Sequence, residues 1–229
     1  MIRNKTYSQK KRYFKPIGLL FLFFTLTQSL SAHVVVGEIE KMSSTEAAFL
    51  YLKLGFEHIL PLGLDHILFI LSIYLLSPTL KSVLLQATAF TIAHSVTLGL
   101  AMYNVFNIHP GIIEPIIAMS IVYVAIQNIF SRKLNASRIG IVFLFGLIHG
   151  LGFANALTQL GLPQNAYFSS LVMFNVGVEL GQITVILAAF LLFGKWFANK
   201  FYYRSAIVIP LSVIIGIVAS YWSIERLFF

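Results

Sequence analysis

Apolar residues in this chain neither alternate with polar ones nor keep to one helical face; they come in long, nearly unbroken runs. The runs span about 56–76, 83–106, 112–130, 139–160, 167–193 and 207–221. A helix needs ~20 apolar residues to cross a hydrocarbon core ~30 Å thick, and several runs reach that length. Only helices and closed barrels satisfy their backbone groups in lipid, and runs without period-two alternation predict helices. Pro61-Leu62-Gly63 interrupts the first run, which predicts a short membrane-surface helix leading into a span. The expected fold class is therefore all-α: a polytopic membrane protein with about six transmembrane helices after an N-terminal signal peptide. The expected division is 1–32 signal peptide, 33–54 short extracytoplasmic tail and 55–229 transmembrane domain.

Composition fits that pattern. The chain is 58% hydrophobic and 10% charged, with a mean hydropathy of +0.86, against about 25% charge in an ordinary soluble domain. There is no cysteine, which excludes disulfides, thiolate ligands and cysteine nucleophiles. The formal charge of +8 would suit a nucleic-acid partner if it were clustered on a folded surface. Instead Arg3, Lys5, Lys10, Lys11, Arg12 and Lys15 precede a short apolar core and the small residues up to Ala32, the three parts of a secretory signal. Cleavage after Ala32 would leave His33 first and lower the charge to +2. The alternative, an uncleaved first helix, has an apolar core that is short for a span. Neither reading leaves a nucleic-acid partner.

A cleaved signal places residue 33 outside, and the loops then alternate. Lys81, Arg132, Lys133, Arg138, Lys195, Lys200 and Arg204 fall on inside loops, whereas loops 107–111 and 161–166 carry no basic residue. This is the asymmetry of the positive-inside rule, and both mature ends lie outside.

Ionisable residues within the runs carry the candidate chemistry. A charge at the bilayer centre is costly, about 2.5–3.5 kcal/mol on insertion scales, so such residues pair or line a site. At ~1.5 Å per residue, Asp65, His66, His94, His149 and Glu179 all lie ~15–18 Å into their spans. Imidazole and carboxylate donors without sulfur suit a divalent first-row metal, with Ni, Zn, Cu and Fe all open on ligand type alone. His66, His94 and His149 are the expected nitrogen ligands, with Asp65 and Glu179 offsetting the cation's charge. His58 and Glu114, nearer the outer surface, are expected on an entry path. Glu114 has a competing role at a helix start, where a carboxylate meets the positive end of the dipole. Asn175, Glu179 and Gln182 at i, i+4 and i+7 form one polar stripe. Gly146-xxx-Gly150 and Gly177-xxx-Gly181 predict close helix packing beside His149 and Glu179.

Five segments, HILPLGLDHILFIL (58–71), FTIAHSVTLGLA (90–101), EPIIAMSIVYVAIQN (114–128), FGLIHGLGFANAL (145–157) and FNVGVELGQ (174–182), together resemble the HupE/UreJ family of membrane proteins. Gly63-Leu64-Asp65-His66, His94, His149 and Glu179 match that family's polar positions. The resemblance implies a bacterial inner-membrane permease for nickel or cobalt, associated with hydrogenase or urease maturation. A second reading of the residues is an intramembrane zinc hydrolase, with three histidines holding zinc and a carboxylate activating water. A bis-histidine haem site is a third.

Overall fold

The structure, a computed structural model, describes residues 42–228 apart from Asn107, Arg132 and Lys133. The expected signal peptide (1–32) and His33 lie outside the described residues. Within them the chain folds into helices α1 (Ser44–Ile59), α2 (Leu64–Leu76), α3 (Leu80–Met102), α4 (Pro110–Phe130), α5 (Ala136–Leu160), α6 (Tyr167–Ala189) and α7 (Ile209–Phe228), with no strand among them. Helices α3 to α7 are each long and apolar enough to cross a membrane. α6 is prolonged to Phe197 through a wider turn at Phe190–Gly194, and another at Arg204–Val208 leads into α7.

The first span departs from expectation in a useful way. α1 begins at Ser44, inside the segment 33–54 expected as a tail. Its start is fixed by a capping box: the Ser43 hydroxyl accepts from the Glu46 amide, and the Glu46 carboxylate accepts from the Ser43 amide at 2.9 Å. α1 does not lie apart as a surface helix. It packs along α6, with Leu52 and Phe56 against Gly177 and Ile59 against Gly181, and Tyr51 donates to the Gly161 carbonyl. α1 therefore descends beside α6 from one end of the bundle towards its middle. After the turn at 60–63 the chain bends by 66° and α2 completes the crossing. With this pair counted as one broken span, the expected number of about six is met.

Three helix pairs dominate the packing: α1 on α6, α3 on α5, and α4 on α7, with α2 wedged among α4, α6 and α7. The two small-residue motifs act where they were expected to. A Cβ at Gly146 would meet Phe90 and Ala93 of α3, and one at Gly150 would meet the His94 carbonyl and Thr97. A Cβ at Gly177 would meet the Leu52 carbonyl of α1. Each motif lets two backbones approach at the level of a histidine. Outward-facing Ile92, Met119, Leu192 and Ile217 are exposed, as a lipid-facing belt requires.

At the end of the bundle carrying Lys81 and Lys195, two arginines secure α4. Arg204 donates to the Ile129 and Ser131 carbonyls, both at 2.7 Å, satisfying groups that the helix end leaves open. Arg138, expected on a loop, is instead in the first turn of α5 and buried. Its guanidinium donates to Asn128 at 2.9 Å, Gln127 at 3.2 Å and the Ser72 carbonyl at 3.3 Å, tying α2, α4 and α5 together.

Candidate metal centre

The break in the first span creates the centre. Pro61 has no N–H to continue α1, so α1 ends at Ile59 and α2 restarts at Leu64. This leaves His58 in the last turn of one half-helix and His66 in the first turn of the other. The carbonyl end of a half-helix carries partial negative charge, which suits a cation. Discontinuous helices near the midplane are a recurring way to build ion sites in transporters.

His58, His66 and His94 converge. Each offers one nitrogen, and the three nitrogens lie within 4.8 Å of one another. Bonds of ~2.0–2.1 Å place two tetrahedral nitrogen ligands ~3.3 Å apart, so closure onto a metal needs side-chain shifts of about an ångström. His66 and His94 are buried and His58 is half-buried. His66 Nε2, His58 Nε2 and both nitrogens of His94 are shielded from solvent yet have no hydrogen-bond partner among the described residues. Four unpartnered imidazole nitrogens in an apolar bundle are costly unless something binds them. The walls are apolar: Phe153 lies 3.9 Å from His58 between ring centroids, Phe90 stands 5.8 Å from His66, and Phe174 stands 5.7 Å from His58.

His149 is buried against this group, its ring 5.1 Å from that of His66. Its Nε2 lies 3.0 Å from Ser120 Oγ, and its Nδ1 is unpartnered. A cavity of about 480 Å³ leads to the histidines, lined by His58, His66 and His149 below and by Glu57, Glu114 and Arg226 nearer its mouth.

The acids are distributed differently from the sequence reading. Asp65 lines the cavity, but its Oδ2 pairs with Arg226 Nη2 at 2.9 Å. Glu179 lines a separate groove between α3 and α6, with Thr88, Thr91, Ser95 and Asn175, and accepts from the Thr88 hydroxyl at 2.7 Å. It does not line the histidine cavity. Asn175 donates to the Leu171 carbonyl at 2.8 Å, and Gln182 is buried with neither polar atom partnered. Glu114 is exposed at the cavity mouth. Because α4 starts at Pro110 behind the cap of His109, Glu114 is past the first turn and outside the position where a dipole role would place it.

Three features of the site were not read from the sequence. A depth count along the sequence runs straight through the helix break, and so it puts His58 on the entry path and not in the cluster. Ser120 had no motif to mark its contact with His149. Arg226 lies 161 residues from its partner Asp65, with no motif to link the two.

No match was found among curated proteins or among solved structures. The family model described as HupE / UreJ protein matches residues 33–226, which includes every helix just described except the last two residues of α7. On that match the chain belongs to the HupE/UreJ family.

Proposed function

We propose that the protein is a secondary carrier of a divalent transition-metal cation, nickel or cobalt, and not an enzyme. The observation that carries this reading is the convergence of His58, His66 and His94 from both halves of a broken span and from α3, with four of their nitrogens buried and unpartnered among the described residues. Imidazole donors without thiolate suit nickel, cobalt, zinc, copper and iron, and membership of the HupE/UreJ family favours the first two. The cation enters past Glu57 and Glu114, whose charges attract it to the mouth, and exchanges water for imidazole within the phenylalanine-walled cluster. His149 stands beside His66 as a further nitrogen donor. The apolar walls leave the histidines as the main polar partners there, so the cation is passed on only when they release it.

The driving force is the membrane potential, ~2.3 kcal/mol per charge per 100 mV and so twice that for a dication. No GxxxxGK[ST] segment for nucleotide occurs in the sequence. The same reading places the protein in a bacterial inner membrane, with its mature N-terminus on the periplasmic side after loss of 1–32. It also makes a hydrogenase or urease maturation system the natural recipient of the metal. Purified protein in liposomes with a metal-sensitive dye inside tests the carrier reading. Nickel or cobalt influx driven by an inside-negative potential is expected. No influx of either ion, nor of zinc, copper or iron, would overturn it. A metal that survives chelator washing in stoichiometric amount would favour the hydrolase instead.

A further inference from the structure

The histidine cavity contains one basic residue among its lining residues, Arg226, and three acids, Glu57, Asp65 and Glu114. A guanidinium is an odd guest in a passage for cations. Its Nη2 lies 2.9 Å from Asp65 Oδ2, and its Nη1 reaches the Glu114 carbonyl at 3.4 Å. Asp65 precedes His66 in the chain, and its other oxygen, Oδ1, is shielded from solvent without a partner. A carboxylate adjacent in sequence to a cluster histidine is thus held by a side chain from the far end of the protein.

We propose that Arg226 is a tethered competitor for the incoming cation. In the resting protein its single positive charge neutralises Asp65 and occupies the mouth of the cavity. A dication arriving at the histidines offers Asp65 twice the charge, and at equal distance Coulomb attraction doubles with it. The Asp65–Arg226 pair is about a quarter exposed on each side and lines the cavity, so an incoming cation can reach it. Arg226 has somewhere to go, because its guanidinium already lies 5.6 Å from the centre of the Trp222 ring one turn earlier on α7. Loading therefore breaks the Asp65–Arg226 pair and releases the last turn of α7. The competition also discriminates: a monovalent cation gains no such advantage over arginine and does not displace it.

This inference rests on the carrier reading, and the experiment separates the two. Calorimetric titration of the detergent-purified full chain with nickel chloride and with cobalt chloride compares wild type, Arg226→Gln, Arg226→Lys, and Asp65→Asn with and without Arg226→Gln. Arg226→Gln is expected to bind about tenfold more tightly or better, Arg226→Lys to stay close to wild type, and Arg226→Gln to change nothing once Asp65 is Asn. The chain has no cysteine, so Leu227→Cys provides a unique labelling point. A fluorophore there is expected to respond to nickel in the wild-type background and not with Asp65→Asn. Wild type that binds, with Arg226→Gln binding equally or less tightly and the label silent, would overturn the proposal and leave the carrier reading standing. Absence of binding in every protein, each monodisperse and helical, would overturn both.

Discussion

The hydroxyl of Ser120 determines which nitrogen of His149 is free. Ser120 Oγ donates to the Ile117 carbonyl at 2.6 Å, and a hydroxyl has one proton, so at 3.0 Å it accepts from His149 Nε2–H. In that tautomer the Nδ1 lone pair is available beside His66. Partners of this kind orient metal-binding imidazoles and raise their basicity. Ser120→Ala is expected to weaken nickel binding by about tenfold while leaving the fold intact, and Ser120→Thr to retain most of it. Calorimetric titration of the two variants beside wild type checks this, and equal affinity of Ser120→Ala would contradict it.

The glycine contacts predict opposite signs at two positions. A methyl at Gly177 meets the Leu52 backbone carbonyl, which cannot move without shifting α1, so Gly177→Ala is expected to destabilise by about 1–3 kcal/mol. A methyl at Gly140 meets nothing within 4 Å, so Gly140→Ala gains helix propensity of up to about 1 kcal/mol. Thermal unfolding in detergent, followed by loss of the monodisperse peak, reads both. A neutral or stabilising Gly177→Ala would show that the α1–α6 contact is looser than described.

Arg138 is buried and paired only with neutral groups, so its planar fork matters more than its charge alone. Arg138→Ala leaves the acceptors on Asn128, Gln127 and Ser72 without this donor, at about 1–3 kcal/mol for each one left buried. Arg138→Lys is expected to recover less than half of the loss, because one ammonium cannot span all three. Melting temperatures of the two variants check this, and a lysine that restores full stability would contradict it.

Imidazole binds a metal only in its deprotonated form, so metal and proton compete for the same nitrogens. Nickel affinity is therefore expected to fall as pH is lowered and to rise as it is raised, with protons released on binding in the acidic range. Titration in buffers of different ionisation enthalpy counts those protons. Affinity that does not fall at any pH at which the protein stays folded would indicate ligands other than histidine.

The membrane fold was legible because its signal is compositional: long apolar runs need no knowledge of partners. Tertiary partners were not legible. Counting residues along 56–76 as one rod put Asp65 and His66 at the level of the other histidines, but also moved His58 away from them, although the bend at Pro61-Leu62-Gly63 folds it back. Glu179 has the right depth and the wrong azimuth, turned towards Thr88 by the rotation of α6, which depth alone does not specify. The paired glycines were more informative, since close approach at Gly150 and Gly177 follows from size alone. Arg226 shows the limit: no periodicity within the chain links it to Asp65.

His58, His66 and His94 are expected to take one cation together. X-ray absorption at the nickel edge of the loaded, purified protein tests it directly, because imidazoles give a distinctive outer-shell scattering pattern. Three imidazole nitrogens at ~2.0–2.1 Å, or four if His149 joins them, are expected, with one fewer in His94→Ala. A shell of oxygens alone, or a spectrum unchanged in His94→Ala, would contradict the account.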